Sequence, residues 1–469
     1  MPGGKAAEPV LEEMVRREFA YADVFRHPPV EGGIFDHRGH ARTDLDPEIS
    51  ICAKNESNCT VFLSDGTWFT TWSQGYHEGH PVERIVFSLS SDMGRSWTPP
   101  GVVVASCPER EERSAYGIPF VVPDTDRIYV FYFMTAMTDG PVWAAEGVQR
   151  PGCRRRPEHG SGHLFFVFSD DRGASWSERI EVPLPDRDIN TIPGRVHGWV
   201  NHSPVVTAAG DVLLTISSAR PNMRRWQLGT AETSVVRCVN ILEESDPAKL
   251  EFELLPEGPK GIRVDARRYL DSPALRRLTD FYDGWPEDTV GNFQELTLAD
   301  LPGGRLLGVG RTSIGSPGFT VSPDGGRTWP PAEALCYRPG GEPVHHPVTM
   351  CRIATTGDGR YVLLFTNNDG TKRGAEHVWH GGGHTRNPQW IAVGRAIPGE
   401  ERNAGLVFGE PMVLAEVDDS DVTNLKTGIS MPQFFEREGR FFVMYNINKE
   451  HIFLDELPAE VMDRLTPEI

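Results

Sequence analysis

From about residue 50 onward, short apolar runs alternate with clusters of Gly, Asp and Asn, the pattern of many short antiparallel strands. The clearest unit is VFLSDGTWFTTW at 61–72. An apolar strand leads into a D-G turn, which supplies the positive φ angles a tight hairpin requires, and a second strand follows. Related hairpins are predicted at DTDRIYVFY (124–132), AAGDVLLTI (208–216), LPGGRLLGV (301–309), TGDGRYVLLF (356–365) and EREGRFFVMY (436–445). Six such units at variable spacing point to an internal repeat of small sheets, and repeated four-stranded sheets mean a propeller. Residues 8–19 (EPVLEEMVRREF) have helical spacing instead, and the stretch to about Pro47 has little periodicity. The expected organisation is an N-terminal arm or cap over 1–47 and one six-bladed, all-β propeller over 48–469.

A finer repeat lies inside the coarse one. SSDMGRSW (90–97), SDDRGASW (169–176) and SPDGGRTW (322–329) share the pattern S-x-D-x-G-x-x-W, each after an apolar strand. In such a turn the Asp satisfies local backbone N–H groups, the Gly takes a conformation closed to other residues, and the Trp packs between sheets. These octets resemble the Asp boxes of the sialidase superfamily, and the resemblance runs from about residue 50 to 455. It implies a sialidase-like six-bladed β-propeller with a sugar-processing site on its axis.

Sialidases hold a substrate carboxylate with three arginines and attack the anomeric carbon with a Tyr activated by a Glu, an Asp serving as acid/base. The segment 294–329 resembles the one that carries the activating Glu and the second arginine, which implies those roles for Glu295 and Arg311, 16 residues apart. YVLLFTNN, then an insertion and HTRNPQWIAVGR, resembles the region delivering the third arginine, here Arg386. Paired guanidiniums suit a bidentate grip on a carboxylate or vicinal hydroxyls.

Three departures follow. The first arginine position falls on Glu56, an acid better suited to accepting hydrogen bonds from sugar hydroxyls, and Gly117 of YGIP stands at the arginine position of a second, similar strand. The nucleophilic Tyr position is Ile429, and Tyr445 closes the same hairpin where the family has a second Tyr followed by Glu, here replaced by Asn446. The acid/base position falls nearest Glu78, flanked by His77 and His80. A carboxylate in that loop can protonate a leaving oxygen or activate water. His197 and His202, in GRVHGWVNHSP, precede a strand near the axis and are candidates for acid/base or substrate contact. His377, His380 and His384 have metal-like spacing, but Gly381, Gly382 and Gly383 work against a regular helix, and no metal or other cofactor is expected.

Composition narrows the function classes. A formal net charge of −19 without a compensating basic run argues against nucleic acid and anionic membrane surfaces. Seven Cys without C-x-x-C pairs read as reduced thiols, the N-terminus lacks an apolar leader core, and a cytoplasmic enzyme is the expectation. Asn58 lies in an N-x-[ST] sequon that matters only in a secreted chain. No phosphate-binding G-x-x-x-x-G-K-[ST] occurs. The leading expectation is an exo-acting glycoside hydrolase for an acidic or deoxy sugar, working with Glu78 and Glu295 and oriented by Arg311 and Arg386. Glu56, His77 and His202 would complete the binding site, and His197 and Tyr445 are further catalytic candidates. A uronate-directed polysaccharide lyase and a noncatalytic sugar-binding propeller are the alternatives.

Overall fold

In the computed structural model of the chain, the hairpins group into six antiparallel sheets of four or five strands. The described residues are 25–26, 54–75, 83–107, 110, 112–136, 161–190, 192–200, 202–219, 231–272, 276, 292–368, 386–417, 428–447, 449 and 451–469. Blade 1 is Lys54–Phe62, Trp68–Gly75, Arg84–Ser90 and Gly101–Ala105; blade 2 is Glu112–Val121, Ile128–Ala136, Gly162–Ser169 and Ile180–Glu181. Blade 3 has a divided first strand, Gly198–Trp199 and Val205–Val206, then Val212–Ala219, Ala231–Cys238 and Phe252–Leu255. Blade 4 is Phe293–Leu301, Arg305–Thr312, Gly318–Ser322 and Glu333–Ala334. Blade 5 is Arg352–Thr355, Tyr361–Phe365, Gln389–Ala396 and Leu406–Phe408, with Met412–Ala415 also on its third strand. Blade 6 is Ile429–Arg437, Arg440–Ile447 and His451–Leu457, and Phe25–Arg26 adds its outermost strand. The backbone of residues 25–26 thus belongs to the propeller, although the sequence pattern assigned it to an arm.

The second strands read as nearly unbroken apolar runs because both of their faces are buried. In blade 2, Tyr129, Phe131 and Phe133 face blade 3, while Ile128, Val130 and Tyr132 face blade 1. The same alternation sends Phe442 and Met444 toward blade 1, and Phe441, Val443 and Tyr445 toward blade 5. Among the described residues six hydrophobic clusters result, one between each pair of successive blades. Burying each large side chain contributes about 1.5–3 kcal/mol, so the ring is held from between its sheets.

The octets form one turn three times. In the second, Asp171 accepts from the Ser175 N–H at 2.8 Å and the Ser175 hydroxyl at 2.6 Å, contacts that hold its carboxyl down at about 2. Asp92 and Asp324 repeat the arrangement with Ser96 and Thr328. Trp176 packs against Phe69 and Phe87 of blade 1 and so staples blade 2 to its neighbour. Gly173 has φ +89°, and a Cβ there would lie 2.4 Å from Phe87. Gly173→Ala is therefore expected to lower stability by about 2–3 kcal/mol, combining the left-handed backbone with overpacking. Denaturant unfolding of the variant would check this, and an unchanged midpoint would contradict it.

Candidate functional site

The first strands lie innermost, and four of them bulge at the same place: between Glu56 and Cys59, Ala115 and Ile118, Gln294 and Thr297, and Ser430 and Gln433. Within each bulge one non-glycine residue adopts a left-handed conformation, namely Ser57, Tyr116, Glu295 and Met431, at φ 53–61°. A bulge re-aims side chains out of the sheet, and such backbone strain concentrates at functional sites. In blade 4 the re-aimed residue is a carboxylate.

Neighbouring blades lock two of these bulges. The Glu295 N–H donates to the Ser217 hydroxyl at 2.7 Å, and the Thr215 hydroxyl donates to the Leu296 carbonyl at 2.7 Å. Blade 1 holds the Tyr116 bulge in the same way, through Ser73 and Thr71. The T-x-S pattern at Thr71/Ser73 and Thr215/Ser217 was available in the sequence but has meaning only once the blades are side by side.

Glu295 and Arg311 come together across the blade 4 hairpin. Arg311 Nη1 lies 3.3 Å from Glu295 Oε1 and 3.4 Å from Oε2, with the two side chains 6% and 7% exposed. Arg386, also buried, adds a second guanidinium beside His346, and its carbonyl accepts the Ile429 N–H at 3.1 Å. Sequence reasoning missed Arg352 and His346. Arg352 opens the first strand of blade 5 and is 2% exposed; burial pushes its guanidinium below the usual Arg value, and Glu295 and Cys59 oppose that shift. Burial likewise raises the Cys59 thiol, against the pull of Arg352 and Ser203. Arg352 thus links blades 5, 4 and 1 around the axis. Its one sequence signal is its place heading the strand before T-G-D-G.

Arg352 also lines a cavity of about 530 Å³ along the axis, with His202, Leu298, Thr356, Gln433 and Glu436. Thr356 and Glu436 belong to or adjoin the hairpin turns, so this cavity extends toward the turn side, away from Arg311. Three guanidiniums, Arg311, Arg352 and Arg386, accompany one carboxylate, Glu295. Buried guanidiniums grouped in this way suit an anionic group.

The other expected residues are placed differently. Tyr445 is 0% exposed, and its hydroxyl donates to Asp455 Oδ2 at 2.7 Å on the blade 5 side of blade 6. Strand alternation directs it into the interblade core, so the structure does not present it to a substrate. Glu56 is 0% exposed and lies 2.8 Å from Lys449 Nζ, a buried ion pair in place of the expected acceptor for sugar hydroxyls. His202 sits in the interruption of the blade 3 first strand, where burial and the nearby Arg352 push it down to about 3. It is therefore uncharged near neutral pH and does not supply the near-neutral titration expected of it. His197 stands edge-on to Trp199, which is paired with Ser217, the hydroxyl that holds Glu295. Glu78, His77 and His80, and the cluster of His377, His380 and His384, lie outside the described residues.

Six antiparallel blades around an axis, closed by a strand from each end of the chain, define a six-bladed β-propeller of the sialidase-like fold. No model of a known family and no curated protein matches the sequence. Among solved structures, Hadza microbial sialidase Hz136 superposes with a TM-score of 0.55 at 15% identity, covering 87% of this chain and 66% of that one. The intramolecular trans-sialidase from Ruminococcus gnavus gives 0.53 at 13% identity, over 88% and 96%. A Dyadobacter fermentans protein of unknown function gives 0.53 at 13%, over 87% and 96%. At these identities the likeness is one of fold.

Proposed function

We propose that this protein cleaves the glycosidic bond of an acidic sugar, with Arg311 and Arg386 holding the sugar's carboxylate and Glu295 acting at the anomeric centre. The observation that carries this reading is the nearly sealed Glu295–Arg311 contact, built on a strained bulge at one end of the axis. Sialidases among the structural neighbours support a sugar-processing role at the level of class. With Ile429 at the position of the tyrosine nucleophile and Tyr445 in the core, water is the proposed attacking group. Glu295 takes a proton from that water, its oxygen bonds to the anomeric carbon, and the glycosidic electrons leave on the departing oxygen. Glu78 is the proposed donor of the proton that oxygen needs.

A panel of nitrophenyl glycosides of uronic, ulosonic and deoxy sugars tests this. Released nitrophenol supports hydrolysis, whereas an unsaturated product absorbing in the near ultraviolet identifies elimination, and binding without turnover identifies a sugar-binding propeller. On the substrate so found, Arg311→Lys is expected to raise KM about tenfold or more, because a point charge replaces a two-pronged donor. An unchanged KM would remove Arg311 from the binding site.

A further inference from the structure

We infer that His346 is a positioning residue that sets the spacing of Arg311 and Arg386, and through it the preference for a carboxylate-bearing sugar over its neutral counterpart. This rests on the reading that the two arginines hold the substrate's carboxylate.

His346 lies on the connection from blade 4 to blade 5 and is 0% exposed. Its backbone N–H donates to the Gly315 carbonyl at 2.9 Å, in the turn that follows Arg311 by four residues. Its ring Nδ1 accepts the Thr366 N–H at 3.2 Å. Thr366 directly follows Phe365, which pairs with Trp390, itself four residues beyond Arg386. The remaining ring nitrogen, Nε2, donates to the Thr349 carbonyl at 3.0 Å. One residue therefore joins the backbone carrying Arg311 to the backbone carrying Arg386.

Only one tautomer satisfies both ring contacts: Nδ1 accepts, so Nε2 carries the hydrogen. A protonated ring would aim a donor at the Thr366 N–H and add a positive charge beside two guanidiniums. Burial, followed by the charges of Arg311 and Arg386, accordingly pushes His346 down to about 3, against the contrary pull of Thr349. The uncharged ring and its backbone tie together the two stretches of chain that carry Arg311 and Arg386, a role that neither Lys nor Arg could fill. Gripping both oxygens of a carboxylate demands such fixed geometry, since loosely held site groups lose most of their effect.

The test is calorimetric titration of the full chain with glucuronate, galacturonate and N-acetylneuraminate, with glucose and galactose as neutral counterparts of the first two. His346→Asn places an amide oxygen near the Nδ1 position and keeps the Thr366 contact, whereas His346→Gln reaches the Nε2 side and loses it. Preference for the acidic sugar is expected to stay within about threefold of wild type in His346→Asn and to fall about tenfold in His346→Gln, at similar Tm, the latter corresponding to about 1.4 kcal/mol. Equal behaviour of the two variants would overturn the positioning role, as would a His346 ¹⁵N side-chain signal that titrates near neutral pH. If neither His346 variant changes the preference while Arg311→Lys and Arg386→Lys abolish it, the inference falls and the binding reading stands. If the arginine variants leave the preference intact, or no acidic sugar binds the wild type, the binding reading falls and takes the inference with it.

Discussion

Glu295→Gln is expected to lower turnover of the acidic glycoside by about a thousandfold while the protein stays folded, the scale seen when a group acting only in the transition state is removed. The amide keeps the shape and one acceptor for Arg311 Nη1, but it does not take a proton from water and carries no charge toward Arg311. Weakening one charge-assisted hydrogen bond costs about 1–2 kcal/mol of stability, too little to unfold a typical domain. KM is expected to change less than kcat, because Arg311 and Arg386 remain to hold the substrate. Steady-state kinetics beside a thermal melt separate the two effects. Wild-type kinetics in Glu295→Gln would make the Glu295–Arg311 pair a structural feature only, and the sugar-binding propeller would become the better reading.

Stability is expected to fall on acidification well before the carboxylates protonate. His202 and His346 are both held near 3, against an ordinary value of 6.5. Between those limits the unfolded chain binds a proton at each histidine that the folded chain refuses, so unfolding becomes easier as pH drops through this window. Each group contributes a slope of about 1.4 kcal/mol per pH unit once the pH is below 6.5, and His346, being fully buried, gives the larger total, a few kcal/mol by about pH 4. The Asp-containing octet turns act lower, since the carboxyls of Asp92, Asp171 and Asp324 are all held below the ordinary value and lose their contribution only as pH falls through their folded values. His346→Asn should therefore flatten the pH dependence of the denaturant midpoint by about one proton between roughly pH 6 and 4.5, leaving the steeper fall below it. Identical slopes in wild type and variant would show that the ring is protonated in the folded protein.

Local chemistry explains why the fold was legible. D-G and related turns, and three octets whose Asp, Gly and Trp act within eight residues, announce themselves wherever they sit. The apolar runs between those turns likewise announced the strands. Arg311 and Glu295 were legible as a pair because one hairpin joins them. By contrast, the fates of Glu56 and Tyr445 were decided by Lys449 and Asp455, and which face of a strand meets which blade is a matter of register. Arg352 and His346 went unseen for the same reason: what makes them matter are Cys59, Glu295, Gly315 and Thr366, brought near only by closing the ring. The sequence by itself thus determined the turns, the strand pattern and the blade 4 hairpin, all governed by contacts between near neighbours. The tertiary structure alone decided which charges are neutralised, which histidines stay uncharged and which arginines share the axis, because burial and charge at a site are properties of what surrounds it.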